Sequence, residues 1–167
     1  MAQLFGAKLR YLRHQHALTQ VELAQQLASQ GHITGLETGK EAPSLRLVLQ
    51  VARFFGVSTD YLLRDTVPVE QIIGTAQMPS ELDRLPQLFG PKLRALRVQH
   101  NLTQGALAHR LGLRRHAYIS NLEAGRKAPS LDIVVQIADL FQVTTDYLLR
   151  DDSPIETFGI VDDSFTS

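Results

Sequence analysis

Between residues 114 and 127 the chain gathers side chains that can hydrogen-bond but that form no catalytic set: Arg114, Arg115, His116, Tyr118, Ser120, Asn121, Arg126 and Lys127. Arginine offers a donor fork that suits guanine, and asparagine a donor and acceptor that suit adenine. Lysine and arginine neutralise phosphate. The chemistry open to such a cluster is non-covalent recognition. Nothing elsewhere supplies bond-making machinery, since no nucleophile elbow, phosphate loop or paired catalytic carboxylates occur. The six histidines show no HxxxH or carboxylate spacing of a metal site, and the absence of cysteine excludes disulfides and thiolate metal ligation. The expectation is no enzyme, no cofactor and no metal.

The elements that must hold this cluster are announced by an internal repeat. LFGAKLRYLRHQHALTQVELAQQL, from Leu4 to Leu27, returns as LFGPKLRALRVQHNLTQGALAHRL from Leu88 to Leu111. IxxLExGxxAPSL at Ile33 to Leu45 returns at Ile119 to Leu131, and FxVxTDYLLRD at Phe55 to Asp65 returns at Phe141 to Asp151. Each copy spans about 60 residues, near the lower limit for independent folding, so two small domains fit better than one, and a solenoid is unlike this pattern. The expected division is an amino-terminal domain over 1–65, a connector over 66–87, a carboxyl-terminal domain over 88–151 and an acidic tail over 152–167.

In the second copy, Leu88, Phe89, Leu93 and Leu96 recur at helical spacing with Lys92, Arg94 and Arg97 between them, which predicts an amphipathic first helix ending near His100. Thr103 sits as an N-cap before a second helix of two turns carrying Leu107, Ala108 and Leu111; Thr19, Leu23, Ala24 and Leu27 repeat it. Gly112 marks a left-handed turn, and a third helix is expected from Arg115 to Ala124, closed by Gly125. Ser130 caps a fourth helix with Ile133, Val134, Ile137, Ala138 and Phe141, and Thr144 or Thr145 caps a fifth with Tyr147, Leu148 and Leu149. Five short helices per copy and no credible strand predict an all-α protein.

Formal net charge is zero, yet its distribution is uneven. Residues 1–65 carry 7 basic and 5 acidic side chains, and residues 88–151 carry 9 and 5; the connector carries 1 and 3, and the tail 0 and 4. Because screening sets in over about 8 to 10 Å, a nearby phosphate senses the local basic face more than the molecular total. The first residues lack an apolar core of signal-peptide length and nothing approaches a membrane span, so the expected location is the cytoplasm.

The order LTQxxLAxxL, IxxLExG and PSLxxxxxIAxxFxVxxDYLL, present twice, resembles the helix-turn-helix family of the lambda-type repressors and Cro, the Xre family. The resemblance covers about three quarters of the chain. It implies that the third helix of a copy enters the major groove and that the start of the second approaches the backbone. By position, Gln20 and Gln104 are similar to the family's backbone-clamping glutamine, and Lys40, Arg126 and Lys127 to its phosphate contacts. It makes Arg114, Arg115, His116, Ala117, Ser120 and Asn121 the face that reaches base edges, with Tyr118 along the backbone. Arg13 with Glu37, and Arg97 with Glu123, are similar to an arginine and glutamate that pair inside family members. His16 and His100, which close the first helices, are expected to face solvent or the helix dipole.

The first copy departs from the second. Its turn is two residues shorter, and the matching face offers Gln30, Gly31, His32, Thr34, Gly35 and Thr38, with no arginine. Two glycines present no side chain to a base, so this copy is expected to supply phosphate or protein contacts more than sequence readout. Family members usually dimerise so that third helices lie about 34 Å apart. The connector, with an ideal span of about 26 Å and a limit near 75 Å, would let one chain act as its own dimer. In the connector, Pro68, Val69, Glu70, Ile72 and Ile73 are apolar enough to pack, and Ser80 opens SELDRL as an N-cap pattern. A homodimer presenting up to four domains is the favoured assembly.

The resemblance thus implies a sequence-specific regulator of transcription that binds double-stranded DNA and acts as a repressor, cytoplasmic and on the nucleoid when bound. The alternative is a protein-interaction module of the same fold, antitoxin-like or antirepressor-like, with its partner held by the first copy or the acidic tail.

Overall fold

The computed structural model describes residues 4–27, 33–70, 86–114, 117–152 and 155. Its elements are helices, and among the described residues there is no strand. The first domain contains α1 (Phe5–Gln15), α2 (Gln20–Gln26), α3 (Ile33–Glu37), α4 (Leu45–Phe55) and α5 (Thr59–Leu63). The second contains α6 (Phe89–Gln99), α7 (Gln104–Arg110), α8 (Ala117–Glu123), α9 (Leu131–Phe141) and α10 (Thr145–Leu149). The fold is therefore all-α, with two tandem five-helix domains. No described helix is long and apolar enough to cross a membrane.

Helix starts follow the hydroxyl residues. Thr19, Ser44, Ser58, Thr103, Ser130 and Thr144 are in extended backbone, and each side-chain oxygen accepts the N–H three residues on, satisfying a group that the helix itself cannot. Thr19 completes a capping box with Glu22. In the second domain, Gly112 (φ 64°) and Gly125 (φ 65°) bracket the turn before α8 and its end, where a side chain would strain the left-handed backbone. The described part of α8 runs from Ala117 to Glu123, and residues 115 and 116, where the sequence places its start, lie outside the described residues.

α1 and α6 have no hydroxyl cap. Their starts are satisfied from far along the chain: the Leu4 N–H donates to Asp65 (2.9 Å), and the Leu88 and Gln87 N–H groups donate to Asp151 (2.8 and 3.0 Å). The return link is a lysine. Lys92, at a polar position of the sequence pattern, is fully buried, and its Nζ donates to the carbonyls of Tyr147 (2.6 Å) and Arg150, the orphan acceptors at the end of α10. Lys8 does the same for Tyr61 and Arg64 at the end of α5. Burial lowers the pKa of both ammonium groups, partly offset by Asp65 at Lys8 and by Asp151 and Asp152 at Lys92. Replacing Lys92 by methionine keeps the packing and leaves the carbonyls unpaired; the expected loss is about 1–3 kcal/mol, read as a lowered urea midpoint.

Each domain has its own core. Phe5, Leu9, Leu12, Leu23, Ile33 and Leu36 pack with α4 and α5 in the first, and Phe89, Leu93, Leu107, Ile119 and Leu122 with α9 and α10 in the second. Glycines set the closest approach. A Cβ built on Gly6 would lie 2.2 Å from the Leu36 carbonyl oxygen, and one on Gly90 would lie 2.6 Å from those of Leu122 and Glu123, so α1 and α6 touch the backbone of α3 and α8 directly.

The two domains meet through equivalent residues. Thr59 and Thr145, both fully buried, place their hydroxyl oxygens 2.8 Å apart. The Thr59 N–H donates to Asp146 (3.1 Å) and the Thr145 N–H to Asp60 (2.8 Å), so each fifth helix caps the other with its own carboxylate. Burial is the main cause that raises the Asp146 pKa, and the neighbouring Asp60 charge adds to it against the Thr59 N–H. Leu45 and Leu49 join the second core, and Leu131 and Val135, their counterparts, pack on the first. Such reciprocity is what a local twofold axis through the threonine pair produces. Arg64 departs from it among the described residues: it bridges Asp60 and Asp139 at 2.6 Å each and also reaches the Val143 carbonyl (3.5 Å), while Arg150 pairs with Asp152 of its own domain. The position matching Asp139 is Arg53.

The connector starts packed. Val67 lies against the first core and the Tyr61 hydroxyl, pushed by burial to a pKa of about 12, donates to the Val69 carbonyl. Ile72, Ile73 and the Ser80 pattern lie outside the described residues, as does the end of the acidic tail.

Candidate nucleic-acid interface

In each domain an arginine, a glutamate and a glutamine tie the first three helices together at the end of the third. Arg97 donates from Nε (2.6 Å) and Nη2 (3.1 Å) to Glu123, and Gln104 Nε2 donates to the same carboxylate (2.8 Å). In the first domain Arg13 grips Glu37 at 2.6 and 3.0 Å and Gln20 donates at 2.8 Å. A bidentate guanidinium fixes the plane of the carboxylate, and through it the end of the third helix against the first. Burial pushes Glu37 up, but the hydrogen bonds from Arg13 and Gln20 and the charges of Arg13 and Arg10 outweigh it, leaving the pKa below the ordinary value. The arginine–glutamate pairs expected from sequence are thus present, and both carboxylates are oriented as structural groups.

Gln20 and Gln104 stand as the first residues of α2 and α7 with their amide nitrogens turned to these carboxylates. Their participation in the triad has one sequence signal, the glutamine following the cap threonine in both copies, but nothing local says where its amide points.

On the second domain's face, Arg114, Ala117, Arg126 and Lys127 are exposed, while Tyr118, Ser120 and Asn121 are half-buried. Arg126 Nε donates to the Asn121 amide oxygen (3.1 Å) and its Nη2 to the Ser120 hydroxyl (3.5 Å), so the cation past the end of α8 braces the two polar side chains of its middle. That leaves the Asn121 NH2 as the group a base acceptor can take. The Lys127 ammonium lies 5.0 Å from the Tyr118 ring centroid, a cation–π contact that holds the positive charge beside the helix. Arg115 and His116 are outside the described residues.

The first domain's face is differently built. The Thr34 hydroxyl donates to Gln20 Oε1 (2.9 Å), and the Thr38 hydroxyl to the Thr34 and Gly35 carbonyls (2.7 and 3.2 Å). At Gly35, the counterpart of Asn121, a Cβ would meet the Glu41 side chain at 2.7 Å. A carboxylate therefore lies over the helix where the other domain extends an amide. Lys40 is exposed beside it; Gln30, Gly31 and His32 are outside the described residues. The histidines ending the first helices are also accounted for: His16 and His100 rings pack 4.9 Å from Phe55 and Phe141, and His16 Nδ1 lies 2.9 Å from the Leu12 carbonyl.

Comparison with known proteins agrees with this architecture. A helix-turn-helix family model matches residues 9–62 and again residues 93–148, together more than half of the chain. An uncharacterised HTH-type transcriptional regulator of Methanocaldococcus jannaschii is 46% identical over 54 residues, 32% of this chain and 82% of that protein. Two Bacillus subtilis proteins described in the same terms are also similar. YobD is 39% identical over 62 residues (37% of this chain, 54% of its own length), and YqaE is 34% identical over 71 (42% and 60%). The chain thus spans between half and two thirds of the two Bacillus relatives. No solved structure matches it significantly.

Proposed function

The chain belongs to the helix-turn-helix family of lambda-repressor and Xre type in both of its halves, and from that premise we propose that it is a sequence-specific double-stranded DNA-binding transcriptional regulator, acting as a repressor, with the second domain as its chief reader. The observation that carries this is the braced Arg126–Asn121–Ser120 set on the exposed face of α8, with Lys127 alongside. Bases are read by groups held in place before binding, and phosphates by cations at the rim. In this reading Arg114, Arg115, His116, Ser120 and Asn121 contact base edges, with Arg126, Lys127, Tyr118 and Gln104 on the backbone. Gln20, Lys40, Thr34 and Thr38 are the first domain's counterparts, with Gln30 and His32 before them. The domains would be the units 1–65 and 88–151, acting in the cytoplasm on the nucleoid.

Selection of bound sites from random duplexes, followed by fluorescence anisotropy, tests it. Asn121→Ala and Arg115→Ala are each expected to relax preference at one base pair and to weaken the selected site by about 1–3 kcal/mol. Lys127→Ala is expected to weaken all sequences alike and to reduce the slope of log affinity against log salt by about 1. Unchanged base preference in the first two variants would remove those residues from reading.

A second reading, a protein-interaction module, is favoured by the carboxylate over Gly35. Failure of any sequence to be enriched would transfer the function to that class. The sequence-based homodimer is a further proposal, tested by the mass of the free protein; the local twofold within one chain already gives a dimer-like pair.

A further inference from the structure

The domain interface and the unlike faces, taken together, bear on the form of the DNA ligand. Equivalent residues meet across the Thr59–Thr145 contact, with reciprocal caps to Asp146 and Asp60, so α3 and α8 are related by a local twofold, the symmetry that a duplex backbone itself has. The side chains do not obey that symmetry. Asn121 is answered by Gly35, Arg126 by Lys40 and Lys127 by Glu41. The Glu41 side chain fills the space in front of Gly35, and the Thr34 hydroxyl is turned to Gln20. Among its described residues, the first face has a cation for a phosphate and no side-chain donor left over for a base, since the Thr34 and Thr38 hydroxyls are both engaged within the domain.

We infer that a single chain occupies one operator of two unlike halves: a half read in its bases under α8, and an adjoining half that is held through its backbone beside Lys40 and is tolerant of sequence. This rests on the proposal that the protein is a DNA-binding regulator. A symmetric palindrome is then the wrong ligand, because only one head discriminates bases while the twofold interface carries the other onto the neighbouring backbone.

The test uses the full chain and three duplexes built from a selected site: the intact site, one with the adjoining half randomised at constant length, and one with that half removed. Removal is expected to weaken binding about tenfold and randomisation less than twofold, with one chain per duplex by native mass spectrometry. Glu41→Lys is expected to tighten both long duplexes by about the same factor, between threefold and tenfold, and to leave the short one unchanged. Randomisation as damaging as removal would show that the first head reads bases. Harmless removal would show that it is off the DNA, and two chains per duplex that the partner head comes from another molecule. Each of these overturns the inference while leaving the regulator reading intact, whereas the absence of any enriched sequence defeats both.

Discussion

Gly90→Ala is expected to destabilise the second domain by about 3 kcal/mol and to lower its melting temperature by about 10 °C or more, because overpacking against backbone cannot be relieved by a rotamer change. The added Cβ would fall 2.6 Å from two carbonyl oxygens, of Leu122 and Glu123, and 3.0 Å from the Glu123 carbonyl carbon. Those atoms belong to the last turn of α8. The helix must therefore move away from α6, and Glu123 moves with it, loosening its bonds to Arg97 and Gln104. Specific DNA affinity should fall further than non-specific affinity, since phosphate contacts tolerate a displaced helix better than base contacts do. Gly105→Ala is the matched control. Its Cβ meets nothing nearer than the Thr103 hydroxyl at 3.9 Å, so the same change on α7 is expected to raise stability by about 0.5 kcal/mol. Equal melting temperatures for the two variants would refute the close-approach account.

Glu37→Gln should cost about 3–5 kcal/mol, the largest effect expected in the first domain, because it leaves the Arg13 guanidinium buried without its counter-charge. The two side chains are 9% and 3% exposed, so water cannot replace the lost partner. The carboxylate's depressed pKa makes the contribution pH-dependent. With the folded value below the ordinary 4.5, the stabilisation is fully present above that pH and is lost as pH falls through the folded value. Urea titrations of the wild type should show the midpoint dropping over that interval, and the glutamine variant should show a smaller drop. The double change Arg13→Met with Glu37→Leu is expected to recover part of the loss, since the damage comes from one uncompensated charge rather than from absence of the pair. A single variant as stable as the wild type would show that the pair contributes little.

Much of this architecture was legible in the residues because the signals are local. A hydroxyl three residues ahead of the N–H it caps, apolar positions at helical spacing, and a glycine at a left-handed turn all act within a few residues, and the structure bears out Thr19, Thr103, Ser130, Thr144, Gly112 and Gly125 in those roles. The resemblance added the pairing of Arg13 with Glu37 and of Arg97 with Glu123, 24 and 26 residues apart. The face of the third helices was legible as residue types, but not as a state. Nothing in the string says that Arg126 braces Asn121, or that Glu41 covers Gly35.

Sequence alone determined that the chain is duplicated, helical and built on a helix-turn-helix, and that its copies differ where bases would be read. Tertiary structure decided which cations are buried and how the copies meet. Lys8 and Lys92 look like surface residues by pattern, and they are interior caps only because α5 and α10 end against them, 53 and 55 residues away. Thr59 and Thr145 look like ordinary first residues of short helices until two domains, 86 residues apart in the chain, set them hydroxyl to hydroxyl. Local propensity reports on a few neighbouring bonds; desolvation and symmetry are properties of surfaces that exist only after the chain has folded.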